Sequence, residues 1–243
     1  MSKLLKPYYD DGKGITIYCA DCNDILPHLP KVDLVLTDPP YEIGAKGGGI
    51  GARRKYLADI HGHIDGGFDV GLLRSFDNWF CFCGKNQLIE ILRAAQSPER
   101  RWMLITWNKP NPTPLSNGNY LPDTEYIVHH FSANKLHGSF RDKSRFIVSP
   151  SEQNDFMHPT VKPLRVINKL IRLGTLQDEV VLDLFMGSGT TLVAAKQLGR
   201  RAIGIEIEEK YCAIAVKRLN QTRRLLFNKS VSVKKKSPRR SLL

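Results

Sequence analysis

The stretch from Val180 to Leu198 constrains the fold of this 243-residue chain more than any other. Val180-Val181-Leu182-Asp183-Leu184-Phe185 is a mostly apolar run, the pattern of a strand buried on both faces of a parallel sheet. Met186-Gly187-Ser188-Gly189-Thr190-Thr191 follows, and Leu192 to Leu198 has helical spacing. Strand, glycine turn and helix in direct succession suit a nucleotide-like cofactor, because glycines let the backbone approach a ligand and the helix N–H groups point at it. Arg201-Ala202-Ile203-Gly204-Ile205-Glu206 reads as a further strand ending in an acid, roughly 20 residues after the glycines, where ribose hydroxyls are commonly bound. Only Gly187 and Gly189 are present, so the three-glycine dinucleotide pattern is incomplete, which argues against NAD and FAD.

A second apolar run, Val32-Asp33-Leu34-Val35-Leu36-Thr37, leads into Asp38-Pro39-Pro40-Tyr41. Ligands of open α/β sheets bind beyond the carboxyl ends of strands, so this run sets a carboxylate, two prolines and an aromatic ring where chemistry usually occurs. Each residue before a proline is pushed towards extended backbone, and neither proline has an N–H. The stretch therefore offers mostly acceptors, the Asp38 carboxylate and nearby carbonyls, between which a planar amino group fits. Tyr41 adds a stacking face. The competing reading is a Pro-Pro turn with a solvated Asp38.

The pair DPPY (38–41) and DLFMGSGT (183–190) resembles the S-adenosylmethionine-dependent amino-group DNA methyltransferases. DPPY precedes the glycines, as in the circularly permuted beta group of that family. His158-Pro159-Thr160-Val161-Lys162-Pro163 and Ala20-Asp21-Cys22-Asn23-Asp24-Ile25-Leu26 match it as well, and the resemblance covers most of residues 15–220. It implies a Rossmann-like class I methyltransferase fold, α/β, with a mixed, mostly parallel seven-stranded sheet and helices on both faces. It implies one domain over 1–228: a catalytic half (15–131), a short target-recognition region (132–157) and a cofactor half (158–220). It assigns catalysis to Asp38, Pro39, Pro40 and Tyr41. Binding of S-adenosyl-L-methionine falls to Asp21, Cys22, Thr160, Lys162, Asp183, Phe185, Gly187, Ser188, Gly189, Thr190 and Glu206. Within that set, Asp21 would accept from the cofactor's adenine amine, and Thr160 and Lys162 would lie near its methionine carboxylate. For Asp21 a helix N-cap is the plain alternative, and for Lys162 an ordinary helix-start residue.

The charge agrees with a polyanionic partner, double-stranded DNA. Net charge is +12, and six of those positive charges lie in residues 229–243, which carry no acid and are expected to form a disordered tail. No signal peptide and no apolar run of ~18 residues is present, so a cytoplasmic protein with no membrane partner is expected, of bacterial, archaeal or phage origin. Five cysteines, an odd count, fit reduced thiols. Cys81 and Cys83 alternate with Phe80 and Phe82 as in a strand, and no second well-spaced ligand pair follows, so no metal is expected. A homodimer and a cognate restriction enzyme are compatible with the resemblance; the sequence decides neither.

Between the two motifs, residues 42–69 scatter eight glycines among Lys46, Arg53, Arg54 and Lys55, a basic loop suited to DNA phosphates or a plain surface insertion. Strands are expected at 15–19, 79–83, 102–107 and 125–131, and helices at 85–96 and 164–173. Trp107 either lines the target pocket or packs in the core. Lys135, His137, Arg141, Lys143 and Arg145 supply the basic side chains of the target-recognition region. Asp at position 38 leans towards adenine N6, since members acting on cytosine N4 more often carry Ser there. An RNA amino-methyltransferase and a catalytically silent DNA-binding protein are the remaining alternatives.

Overall fold

Strand propensity and burial on both faces build the centre of the molecule. In the computed structural model, residues 6–40, 68–112, 120–132, 135–151 and 161–223 are described. They form one nine-stranded sheet from β1 (Tyr9–Asp10), β2 (Ile15–Cys19), β3 (Leu34–Thr37), β4 (Trp79–Cys83), β5 (Arg101–Asn108), β6 (Thr124–Phe131), β7 (Phe146–Val148), β8 (Val180–Asp183) and β9 (Arg201–Glu206). The order across the sheet is β1-β2-β9-β8-β3-β4-β6-β5-β7. The central seven strands, β2 to β5 in this order, are the expected mixed sheet: all run parallel except β6, which is antiparallel to both β4 and β5. The sheet exceeds seven strands because two short pieces dock at its edges, β1 antiparallel on β2 and β7 parallel to β5. A two-residue and a three-residue strand are too short to leave a periodic signal in the sequence.

Both faces are covered. On one side Phe80, Phe82, Leu34, Leu36 and Ile127 pack under α3 (Leu164–Gly174), α4 (Thr190–Gln197) and α5 (Glu209–Gln221). On the other, Trp79, Cys81, Cys83, Val35 and Leu182 pack under α1 (Cys22–Ile25) and α2 (Leu88–Ala95). β4 shows why its sequence reads as it does: five consecutive buried residues split alternately between two cores. Its three aromatic side chains, fully buried, each contribute about 1.5–3 kcal/mol. Cys83 fills the second core, where burial pushes its thiol up to about 12.

Trp107 is buried in the first core and donates Nε1–H to the Ser149 carbonyl at 2.7 Å; of its two readings, packing is the one observed. No described helix is long and apolar enough to cross a membrane.

Candidate active site

The two motifs meet because β3 and β8 are neighbours. Leu34 and Val35 pair with Val181 and Leu182, so both strands deliver their carboxyl ends to one crevice where the chain order across the sheet reverses. Asp38 follows β3 by one residue, and Asp183 ends β8. Pro39 is buried, Pro40 half-buried, and the Pro40 carbonyl accepts from Gln87 Nε2 at 3.0 Å. Gln87, in the turn after β4, thus ties down the proline pair; nothing local in the sequence marked it. Tyr41 and Thr160 lie outside the described residues, as do most of the glycine-rich basic loop and the tail.

Asp38 does not stand alone. Lys162, in the segment leading into α3, is buried and ion-pairs with Asp38 Oδ2. The same ammonium lies 3.4 Å from Glu125 Oε2, and Lys109 Nζ lies 2.5 Å from Glu125 Oε1. The order Asp38, Lys162, Glu125, Lys109 alternates in charge and sums to zero. Aromatic faces complete the lining: Lys162 Nζ lies 5.1 Å from the Phe82 ring centroid and Lys109 Nζ 4.9 Å from that of Trp107. Burial raises the Glu125 carboxyl and the two lysines lower it, with a net downward shift. Burial likewise opposes the charge of Lys162, yet its two carboxylate partners hold its ammonium above the usual lysine value. The Asp38 side chain keeps 26% of its exposure, while its Oδ1 is buried and its Oδ2 faces Lys162. Lys162 therefore sits on the Asp38 carboxylate.

The glycine turn is built for close approach. Gly187 and Gly189 have φ of +51° and +79°, and a Cβ on Gly189 would stand 2.7 Å from that of Ala215. Gly189 caps α4. Glu206 Oε2 accepts from Gly187 N–H at 2.9 Å and Oε1 from Glu208 N–H at 2.9 Å, so this carboxylate spans the turn and the end of β9. Burial nonetheless raises its carboxyl above the ordinary value. Ser188 and Thr190 are buried, and their hydroxyls accept from Arg218 Nη1 at 2.9 and 3.0 Å, with the Ser188 carbonyl at 2.6 Å. Arg218 thus ties the Ser188–Thr190 part of the turn to α5.

Asp183 is buried and accepts from Phe185 N–H at 3.2 Å; burial pushes its carboxyl up to about 7, with the nearby Asp38 charge adding to the rise. Phe185 is half-buried and meets Phe68 edge-on, centroids 5.2 Å apart. Asp21 caps α1, accepting from Asn23 N–H at 2.8 Å and Asn23 Nδ2 at 2.9 Å. The Cys22 side chain is buried in the second core, where desolvation lifts its thiol to about 11.

Of the expected target-region cations, Lys135 is engaged elsewhere: it bridges Asp33 and Glu179, each at 3.3 Å, at the amino ends of β3 and β8. His137 donates its backbone N–H to the Leu173 carbonyl at the end of α3. Asn111 and Ser151 exchange two hydrogen bonds, 2.8 and 3.1 Å, and close the loops after β5 and β7 on each other.

A mixed, mostly parallel sheet, helices on both faces and a glycine turn beside an Asp-Pro-Pro strand end define a Rossmann-like class I methyltransferase. Residues 32–217 match the family described as DNA methylase, the N6/N4 amino-methyltransferases, and the chain belongs to it. The Type II methyltransferase M2.MboI of Moraxella bovis is 26% identical over 260 residues, covering 92% of this chain and 94% of its own. Among solved structures, the M1.HpyAVI–SAM complex superposes with a TM-score of 0.63 at 28% identity, over 84% of this chain and 98% of that one. The PvuII DNA methyltransferase, described as cytosine-N4-specific, shares the fold at TM-score 0.64 and 16% identity, over 93% and 90%.

Proposed function

We propose that this protein transfers a methyl group from S-adenosylmethionine to the N6 amino group of adenine in double-stranded DNA, at a specific site, in the permuted beta order of its family. The observation that carries the reading is Asp38 at the carboxyl end of β3, partly exposed and set beside the glycine turn of β8. The residues present fit the cofactor: a turn with two glycines at positive φ, the Glu206 carboxylate at the next strand end and the exposed part of Phe185 surround one crevice. Gly187, Gly189, Phe185 and Glu206 would hold it, and Asp183 would support the turn through Phe185 N–H. When bound, S-adenosylmethionine supplies an electrophilic methyl on a sulfonium.

The chain's own task is to make a poor nucleophile adequate. The amino nitrogen's lone pair is delocalised into the base ring. Asp38 and the Pro39 carbonyl accept its two N–H bonds, which favours a more pyramidal nitrogen with its lone pair aimed at the methyl. Fixed acceptors and proximity supply the rate. Asp38 does not deprotonate the neutral amine, which is far too weak an acid; it takes the proton that the nitrogen gives up after transfer. The base must leave the duplex to reach this crevice, and Tyr41 is the residue proposed to stack on it.

Adenine is favoured over cytosine N4 by Asp rather than Ser at position 38. The test is to incubate the protein with unmethylated genomic DNA and S-adenosylmethionine, digest to nucleosides and weigh them. N6-methyladenine is expected. N4-methylcytosine would retain the site and overturn the base, and methyl found in RNA but not DNA would overturn the substrate.

A further inference from the structure

We propose that Glu125 is a positioning residue for methyl transfer: by sharing Lys162 with Asp38, and being held in turn by Lys109, it sets how tightly Lys162 grips Asp38. This inference rests on the function proposed above and concerns residues outside both motifs. A buried Lys162 facing Asp38 alone would claim the oxygens that the target amino group needs. Glu125, 3.4 Å away on the other side, divides the ammonium's attraction between two carboxylates. Lys109, 2.5 Å from Glu125, keeps the second carboxylate ionised and in place. The frame is rigid. Glu125 lies opposite Trp107 in the β5–β6 register, and Lys109 donates its backbone N–H to the Asp123 carbonyl at 2.7 Å. The four charged groups therefore form a chain from the reacting carboxylate to the base of the segment after β5. Among the described residues, the groups facing this chain include the Phe82 and Trp107 rings, the Cys83 and Cys81 thiols and the Asp183 carboxyl.

Charge removal at the two ends of the chain must act in opposite directions. Glu125→Gln removes the carboxylate that competes with Asp38 for Lys162, which holds Asp38 ionised to lower pH but less available to the amine. Lys109→Met frees Glu125 to draw Lys162 away, which makes Asp38 easier to protonate. The expected results for Glu125→Gln are a fall in kcat on the order of 10²-fold, as for a misplaced reacting group, and an acidic limb of the kcat–pH profile moved down by roughly one unit. Lys109→Met moves that limb up by a similar amount, and Glu125→Asp, which keeps the charge, leaves it near the wild-type position. An unchanged limb in Glu125→Gln, or limbs that move the same way in both charge-removing variants, would overturn the inference. A second readout needs no activity. Denaturation of Asp38→Asn, Glu125→Gln and the double variant should show the double losing more stability than the sum of the singles, because only then is Lys162 left without either carboxylate. Additive losses would overturn the shared lysine. A wild-type protein that methylates no DNA would instead overturn the proposed function, with the stability cycle still judging the coupling.

Discussion

Gly189→Ala tests the glycine turn at a single atom. Gly189 has φ of +79°, and an added Cβ would approach the Ala215 Cβ on α5 to 2.7 Å and its Cα to 3.3 Å. Two costs add. Left-handed backbone with a Cβ costs roughly 1–2 kcal/mol, and forcing a methyl into a filled contact costs about 1–3 kcal/mol. The variant should therefore lose roughly 2–5 kcal/mol, seen as a fall of about 2–4 °C in Tm per kcal/mol for a chain of this size. Ala215→Gly separates the two costs. Alone it should cost about 1 kcal/mol, since glycine disfavours a helix interior. Combined with Gly189→Ala it removes the opposing methyl but not the backbone strain. The double variant should then be more stable than the sum of the singles by about 1–3 kcal/mol, the clash part alone. The assay is urea denaturation of the four proteins. Additive losses would refute the close approach of turn and helix.

Two further outcomes follow from the same site. Arg218→Ala removes three bonds to Ser188 and Thr190; it should cost roughly 1.5–3 kcal/mol, the range for hydrogen bonds to a charged group, and weaken S-adenosylmethionine binding by calorimetry, and a variant unchanged in both would refute the support role. Asp183, raised to about 7 from an ordinary 3.8, keeps its proton in the folded state at pH values where the unfolded chain has lost it. Its contribution is complete below about pH 4 and is lost as pH rises through about 7, so Asp183→Asn, which can still accept from Phe185 N–H, should lose less stability between those limits than wild type, by at most about 4 kcal/mol. Equal pH slopes for the two proteins would contradict it.

What the sequence made legible was local. The runs before Asp38 and after Glu179 read as buried strands because they are short, mostly apolar and rich in Val and Leu, and the glycines at 187 and 189 announced a turn that side chains would obstruct. The sheet's central seven strands followed from those runs and the family resemblance. The fine structure of the site did not. Lys162 reaches Asp38 across 124 residues, Arg218 reaches Ser188 across 30, and Gln87 reaches Pro40 across 47. Such pairings depend on which strands become neighbours, and a single sequence carries no period or spacing for them. Glu125 read only as part of a strand, since a polar residue at a strand's first position is ordinary; its partners gave it meaning. Lys135 shows the converse: a cation counted towards DNA by its neighbourhood in sequence is held by Asp33 and Glu179 at the amino ends of the sheet.

The central claim, that Asp38 is the acceptor that prepares the amino nitrogen, is tested most directly by single-turnover methylation of unmethylated DNA by wild type and Asp38→Ala, each saturated with S-adenosylmethionine. The account predicts that Asp38→Ala still binds the cofactor, whose turn lies on β8 and β9, and forms N6-methyladenine at least about 10²-fold more slowly, the loss seen when one preorganised polar group is removed from a reacting centre. An Asp38→Ala protein that methylates DNA at the wild-type rate would contradict it.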